Sequence, residues 1–143
     1  MNKQSNQTPN SFWIIGILAL FWNLVGVFAY LGQTFMSDEI LKTLSKSEQN
    51  YFTTIPAWVT AAFATAVFAG LFGSICLLFK KKIAFFLFLI SLVALILQHN
   101  YNFYIQDYMK ITGAQLILPF ATTLIGGFLL WFAYKMDKKN LLI

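Results

Sequence analysis

Apolar residues fall into four long runs separated by short polar stretches. Phe12 to Leu31 carries no charge and one strongly polar residue, Asn23. Pro56 to Phe79 is charge-free and stops at Lys80. Ile83 to Leu97 is apolar and continues through the mixed stretch QHNYNFY to Tyr104. Gly113 to Tyr134 is the fourth run, stopped by Lys135. A helix needs about 20 apolar residues to cross the ~30 Å hydrocarbon core. The pattern therefore predicts transmembrane helices over 12–31, 56–79, 83–104 and 113–134, within one membrane domain covering residues 1–143. Only Lys80, Lys81 and Lys82 join the second and third, which must form a tight antiparallel hairpin. The predicted fold class is all-α, an antiparallel integral membrane four-helix bundle with short connections.

The first run reads as a retained span. It is longer than the ~7–15-residue core of a secretory signal, and Phe28-Ala29-Tyr30 lacks the small-residue cleavage pattern. Between the first two spans, Gly32 to Ile55 is the one sizeable loop. There Ser37 is an N-cap candidate, and Asp38 and Glu39 suit a first helical turn. Ile40, Leu41 and Leu44 supply an apolar face, predicting one amphipathic helix on the outer surface. Pro56 opens the second span, where its missing N–H leaves nothing unbonded.

Composition agrees. Of 143 residues 59% are hydrophobic and only 10% charged, against about 25% charged in a soluble domain. Mean hydropathy is +0.68. The net charge of +5 comes from ten lysines and no arginine, placed at the ends of apolar runs rather than among aromatics on a polar face. That excludes a nucleic-acid-binding surface and leaves the lipid bilayer as the primary partner. Cys76 is the only cysteine, so no intrachain disulfide can form.

Four spans put both termini and the Lys80–Lys82 turn on one side. That side holds Lys3, Lys80, Lys81, Lys82, Lys135, Lys138 and Lys139; the other holds Lys42, Lys46 and Lys110. The positive-inside rule then predicts cytoplasmic N- and C-termini.

Small residues mark the packing faces. On the second span Ala62, Ala66, Gly70 and Ser74 recur every four residues, flanked by Ala57, Ala61, Thr65, Ala69 and Gly73. The broad face suits helix packing within the bundle or a dimer interface. On the first, Gly16, Ala19, Asn23, Gly26 and Tyr30 share one side. On the fourth, Thr123 and Gly127 share a face and Pro119 is expected to kink the helix.

Polar groups at membrane depth are the candidates for function. No Asp, Glu, Lys or Arg lies inside a span, which argues against a proton- or sodium-coupled antiporter such as the small multidrug transporters, whose first span carries a Glu. Asn23 must find a partner, for which Thr122 or Thr123 lies at similar depth. Gln98, His99, Asn100 and Asn102 cluster in the outer third of the third span. Trp22 beside Asn23, or Trp58 near that cluster, offers an aromatic plane beside amides, as sugar sites use. The substrate-path candidates are Trp22, Asn23, Gln98, His99, Asn102 and Thr123. No metal-ligand spacing, nucleophile–base pair or phosphate loop is present; no enzyme activity, cofactor or metal is expected.

The block Pro56-Ala-Trp-Val-Thr-Ala-Ala-Phe63, the stretch running on to Lys82 and the acidic Ser37-Asp38-Glu39 segment resemble a family of small bacterial four-helix membrane proteins often labelled sugar transporters. The resemblance covers roughly residues 35–135 and implies a multi-pass protein of the bacterial inner membrane. Two readings of function follow. In the first, the chain passes a small neutral solute such as a sugar, as a homo-oligomer because four helices leave a narrow path. In the second, it is a non-transporting accessory or scaffold subunit beside a partner membrane protein. A third, an enzyme or sensor using His99 at the outer surface, ranks behind both.

Overall fold

The computed structural model describes residues 8–143, within which every apolar run is helical. The helices are α1 (Asn10–Thr34), α2 (Asp38–Thr43), α3 (Lys46–Thr54), α4 (Ala57–Leu78), α5 (Ile83–Asn100) and α6 (Ile117–Lys138). A π-helical segment, Tyr101–Ile105, continues α5, and a 3-10 turn, Gly113–Leu116, leads into α6. The fold is the expected all-α bundle, with four helices long and apolar enough to cross a membrane. Lys3 lies outside the described residues.

The helix ends follow local chemistry. α1 and α4 each start directly after a proline in extended conformation. Pro9 accepts from the Phe12 N–H at 2.9 Å, and Pro56 from the Val59 N–H at 3.0 Å. Pro119 sits in the first turn of α6, where a missing N–H leaves no helical bond unmade, so it helps open that helix rather than kink its middle. α6 does not stop at Lys135 but runs to Lys138. The long lysines lie back over aromatic rings, Lys135 Nζ 4.7 Å above Trp131 and Lys138 Nζ 5.4 Å above Tyr134. Cations also suit a helix C-terminus.

The outer segment carries two short helices where the apolar pattern predicts one. Ser37 caps α2 as expected, accepting from the Ile40 N–H at 3.3 Å. α3 begins at a capping box: Ser45 accepts from the Glu48 N–H, and the Glu48 carboxylate accepts from the Ser45 N–H at 2.9 Å. The Ser45 hydroxyl, donating to the Glu48 carboxylate at 2.6 Å, and then the Ser45 N–H hold the Glu48 carboxyl below its usual range. Ser-Lys-Ser-Glu is a readable start signal, hidden by the lack of apolar periodicity in the polar helix that follows.

α4 makes the most extensive packing in the bundle, against both α1 and α5, and α6 packs against α5. Ala66, Gly70 and Ser74 are buried and Ala62 is half-buried, so this stripe lies largely inside the protomer. Of the flanking stripe, Ala57, Ala61 and Thr65 remain exposed. A side chain at Gly70 would strike the Asn23 carboxamide and come within 3.1 Å of Ser91 Oγ, so α1, α4 and α5 all converge on that bare Cα.

The lysine-rich end is closed. Phe12, Leu77, Phe88, Phe132, Met136 and Leu142 form its core with Ala84 and Ala133, and the Phe12 and Phe132 rings bring α1 against α6 at 6.2 Å. α4 and α6 end alike, with Lys80 (φ 56°) and Asn140 (φ 55°) in the left-handed region. The Lys81 N–H then reaches the Cys76 carbonyl at 2.8 Å, and the Leu141 N–H the Met136 carbonyl at 3.1 Å, the Schellman pattern. The two turned-back segments pair, Lys82 N–H to the Ile143 carbonyl at 3.1 Å and Ile143 N–H to the Lys80 carbonyl at 2.6 Å.

Gly70→Ala should destabilise the bundle by about 1–3 kcal/mol, the typical cost of an extra methyl in a filled contact. Gly32→Ala, with open space around its Cα, should not. Thermal unfolding of both variants in the same detergent checks the pair; equal behaviour would contradict the contact described.

Candidate functional site

Asn23 lies at the meeting of α1 and α4. Its Nδ2 donates to the Ala19 carbonyl at 2.9 Å and to Ser74 Oγ at 3.2 Å, while Ser74 Oγ donates to the Gly70 carbonyl at 2.9 Å. The partner is thus Ser74 on α4, not Thr122 or Thr123 on α6. Those two hydroxyls both bond back to the Pro119 carbonyl at 2.9 Å, as Ser and Thr in apolar helices often do. α5 is tied to α4 by a second polar bond, Ser91 Oγ donating to the Ala66 carbonyl at 2.6 Å.

Beside this node lies a cavity of about 210 Å³ between all four spanning helices. Trp22, Asn23 and Gly26 line it from α1, Phe63 and Val67 from α4, Phe88 and Ser91 from α5, and Thr122, Ile125 and Leu129 from α6. The walls are overwhelmingly apolar. Their polar side chains Ser91 and Thr122, and the Asn23 amide N–H groups, donate within the fold.

The six sequence candidates separate. Trp22 and Asn23 share the cavity. His99 and Thr123 meet elsewhere, His99 Nδ1 lying 3.2 Å from Thr123 Oγ1 at the edge of an external groove between α5 and α6. That groove, about 290 Å³, is walled by Phe103, Tyr104, Pro119 and Phe120 and carries Asn100. Asn102 turns to the loop, its Oδ1 accepting from the Tyr51 hydroxyl at 2.7 Å. Gln98 is half-buried and joins none of these. Trp58 stands edge-on to Tyr101 at 5.7 Å. Among the described residues no three His, Cys, Asp or Glu side chains converge.

The loop end is a second small core. Tyr51, Val59 and Tyr101 are buried together under Phe52, Ile55 and Met109, docking α3 onto α4 and the π segment. Gln106 shapes the turn beyond it. Its Oε1 accepts from the Tyr108 and Met109 N–H groups at 3.0 and 2.9 Å, and its Nε2 donates to the Asn102 carbonyl at 2.9 Å. Neither Tyr51 nor Gln106 stands out by pattern, since each gains its role from residues distant in sequence or from a turn lacking Gly and Pro.

Burial, reinforced by Tyr101, pushes the Tyr51 phenol up to about 12 from 10.0. The fold therefore favours the protonated form: this stability is full below pH 10 and is lost as pH rises through about 12. An alkaline titration followed by phenolate absorbance should show a late step near pH 12 that vanishes in Tyr51→Phe. The same substitution should cost about 0.5–1.5 kcal/mol, one hydrogen bond, and should speed amide exchange in α3 more than in α4.

No protein-family model matches the chain, and neither a curated protein nor a solved structure is significantly similar to it.

Proposed function

We propose that this chain is a non-conducting, multi-pass membrane subunit, a scaffold or accessory component rather than a solute pathway. The observation that carries this reading is the seal at the lysine-rich end: Phe12, Leu77, Ala84 and Ala133 are each 0% exposed. A neutral solute passing along the bundle would have to part α1, α4, α5 and α6 at once there, where they are packed side chain to side chain. The N–H groups of the central amide are already engaged, one with the Ala19 carbonyl of its own helix and one with Ser74 across the α1–α4 contact. The exposed Ala57, Ala61 and Thr65 face of α4 suits close approach of a second copy or a partner helix.

The expected orientation keeps its support in the charge distribution. Among described residues, Lys80, Lys81, Lys82, Lys135, Lys138 and Lys139 lie at the sealed end, and Lys42, Lys46 and Lys110 at the loop end. In this reading the sealed end faces the cytoplasm of a bacterial inner membrane. The bacterial setting rests on the family resemblance. The neutral-solute facilitator, the other reading of that resemblance, requires water to reach Asn23.

Cysteine accessibility decides between the two. In a Cys76→Ala background, Asn23→Cys should resist a small water-soluble maleimide in intact cells, whereas Asn50→Cys at the loop end should react. Lys139→Cys should react only after permeabilisation. Labelling at position 23 would overturn the non-conducting reading and make a solute route the working model.

A further inference from the structure

The cavity beside Asn23 has a particular shape and place. Every residue lining it belongs to a spanning helix and none to the loops. Its exposed lining residues are Val25 and Ala29 on α1 and Leu118 on α6, so the mouth lies between these two helices. α1 packs on α4 and α6 on α5, and the Phe12 and Phe132 rings bring α1 and α6 together at the sealed end. Toward the loop end the cavity lies between them as a slot. Along α6 the lining runs from Leu118, one residue into the helix, down to Leu129, roughly 16 Å of helix. That is about half of the ~30 Å hydrocarbon core, the depth of one leaflet.

From this geometry we infer that the slot binds one acyl chain of a bilayer phospholipid. The chain enters from the loop-side leaflet between α1 and α6 and ends near Asn23, Phe88 and Leu129. An apolar cavity of this size stays dry and takes an apolar ligand. Left empty, its lining would forfeit dispersion contacts on one side. An acyl chain asks for no hydrogen bonds, which matches walls whose Ser91 and Thr122 hydroxyls already bond to backbone carbonyls. A sugar would need several free donors and acceptors. The mouth opens sideways at hydrocarbon depth, where lipid chains are the local solvent. The inference rests on the dry-bundle reading to the extent that water must be absent at Asn23.

The test is native mass spectrometry of the full chain released from phosphatidylcholine nanodiscs. The expected result is one retained phospholipid per chain. Retention should fall several-fold in Ala29→Trp, which narrows the mouth, and remain unchanged in Leu124→Trp, on the exposed opposite face of α6. Val25→Phe serves as a second mouth variant should Ala29→Trp fail to fold. A phosphatidylcholine with a photoreactive group near one chain end should crosslink to the Trp22 and Leu129 regions. No retained lipid, or equal loss in the mouth and control variants, would overturn the proposal. So would retention of a free fatty acid mass in place of the phospholipid. Failure here with position 23 unlabelled by maleimide means a dry, empty cavity; failure with it labelled means a wet one, which also removes the non-conducting reading.

Discussion

The bundle depends on one close approach, the seating of the Asn23 carboxamide against the bare Cα of Gly70. In hydrocarbon a polar amide without a partner costs several kcal/mol, and helices there gain nothing from excluding water between them. Both problems are met at one point. The missing side chain at Gly70 lets α1 come close enough for Asn23 Nδ2 to reach Ser74 Oγ at 3.2 Å, and Ser74 is itself anchored on the Gly70 carbonyl. Ser91 Oγ bonds the Ala66 carbonyl one turn away, so α5 is registered against the same stretch of α4. With these contacts made, α4 becomes the shared wall of the bundle and α6 is left to pack on α5.

The two ends are finished by different means. At the lysine-rich end two helices stop with the same turned-back geometry, and the segments beyond them pair backbone to backbone. This leaves Leu142 buried beneath the bundle. Among the described residues the one ion pair there, Lys82 with Asp137 at 3.7 Å, is solvent-exposed on both partners and adds little. At the loop end the closure is aromatic, Tyr51 and Tyr101 clasping Val59 and Trp58. Between these plugs lies the cavity lined by all four spanning helices.

Much of this was legible because a membrane makes sequence patterns severe. Four charge-free runs admit few interpretations, and lysines, prolines and Ser37 marked most helix limits to within a few residues. The spacing of Ala62, Ala66, Gly70 and Ser74 pointed to the side of α4 that is in fact buried or half-buried. What stayed hidden was anything relating residues on different helices. Asn23 requires a partner, but periodicity cannot choose one: the bond goes to Ser74, level with Gly70 and Ser91, while Thr123 sits beside His99, farther along α5 toward the loop end. Thr122 and Thr123 are neighbours in the chain yet open on different spaces, one the cavity and one the His99 groove.

The sequence by itself determined that the chain is four apolar helices joined by short or lightly structured links, because length, charge and hydropathy act on each segment alone. Only the tertiary structure decided that the small-residue stripe is turned inward, that the polar candidates do not converge on one place, and that a slot persists between α1 and α6. Those outcomes depend on how far helices can approach one another. That distance is set by which side chain meets which bare Cα across the interface, a relation no single segment carries.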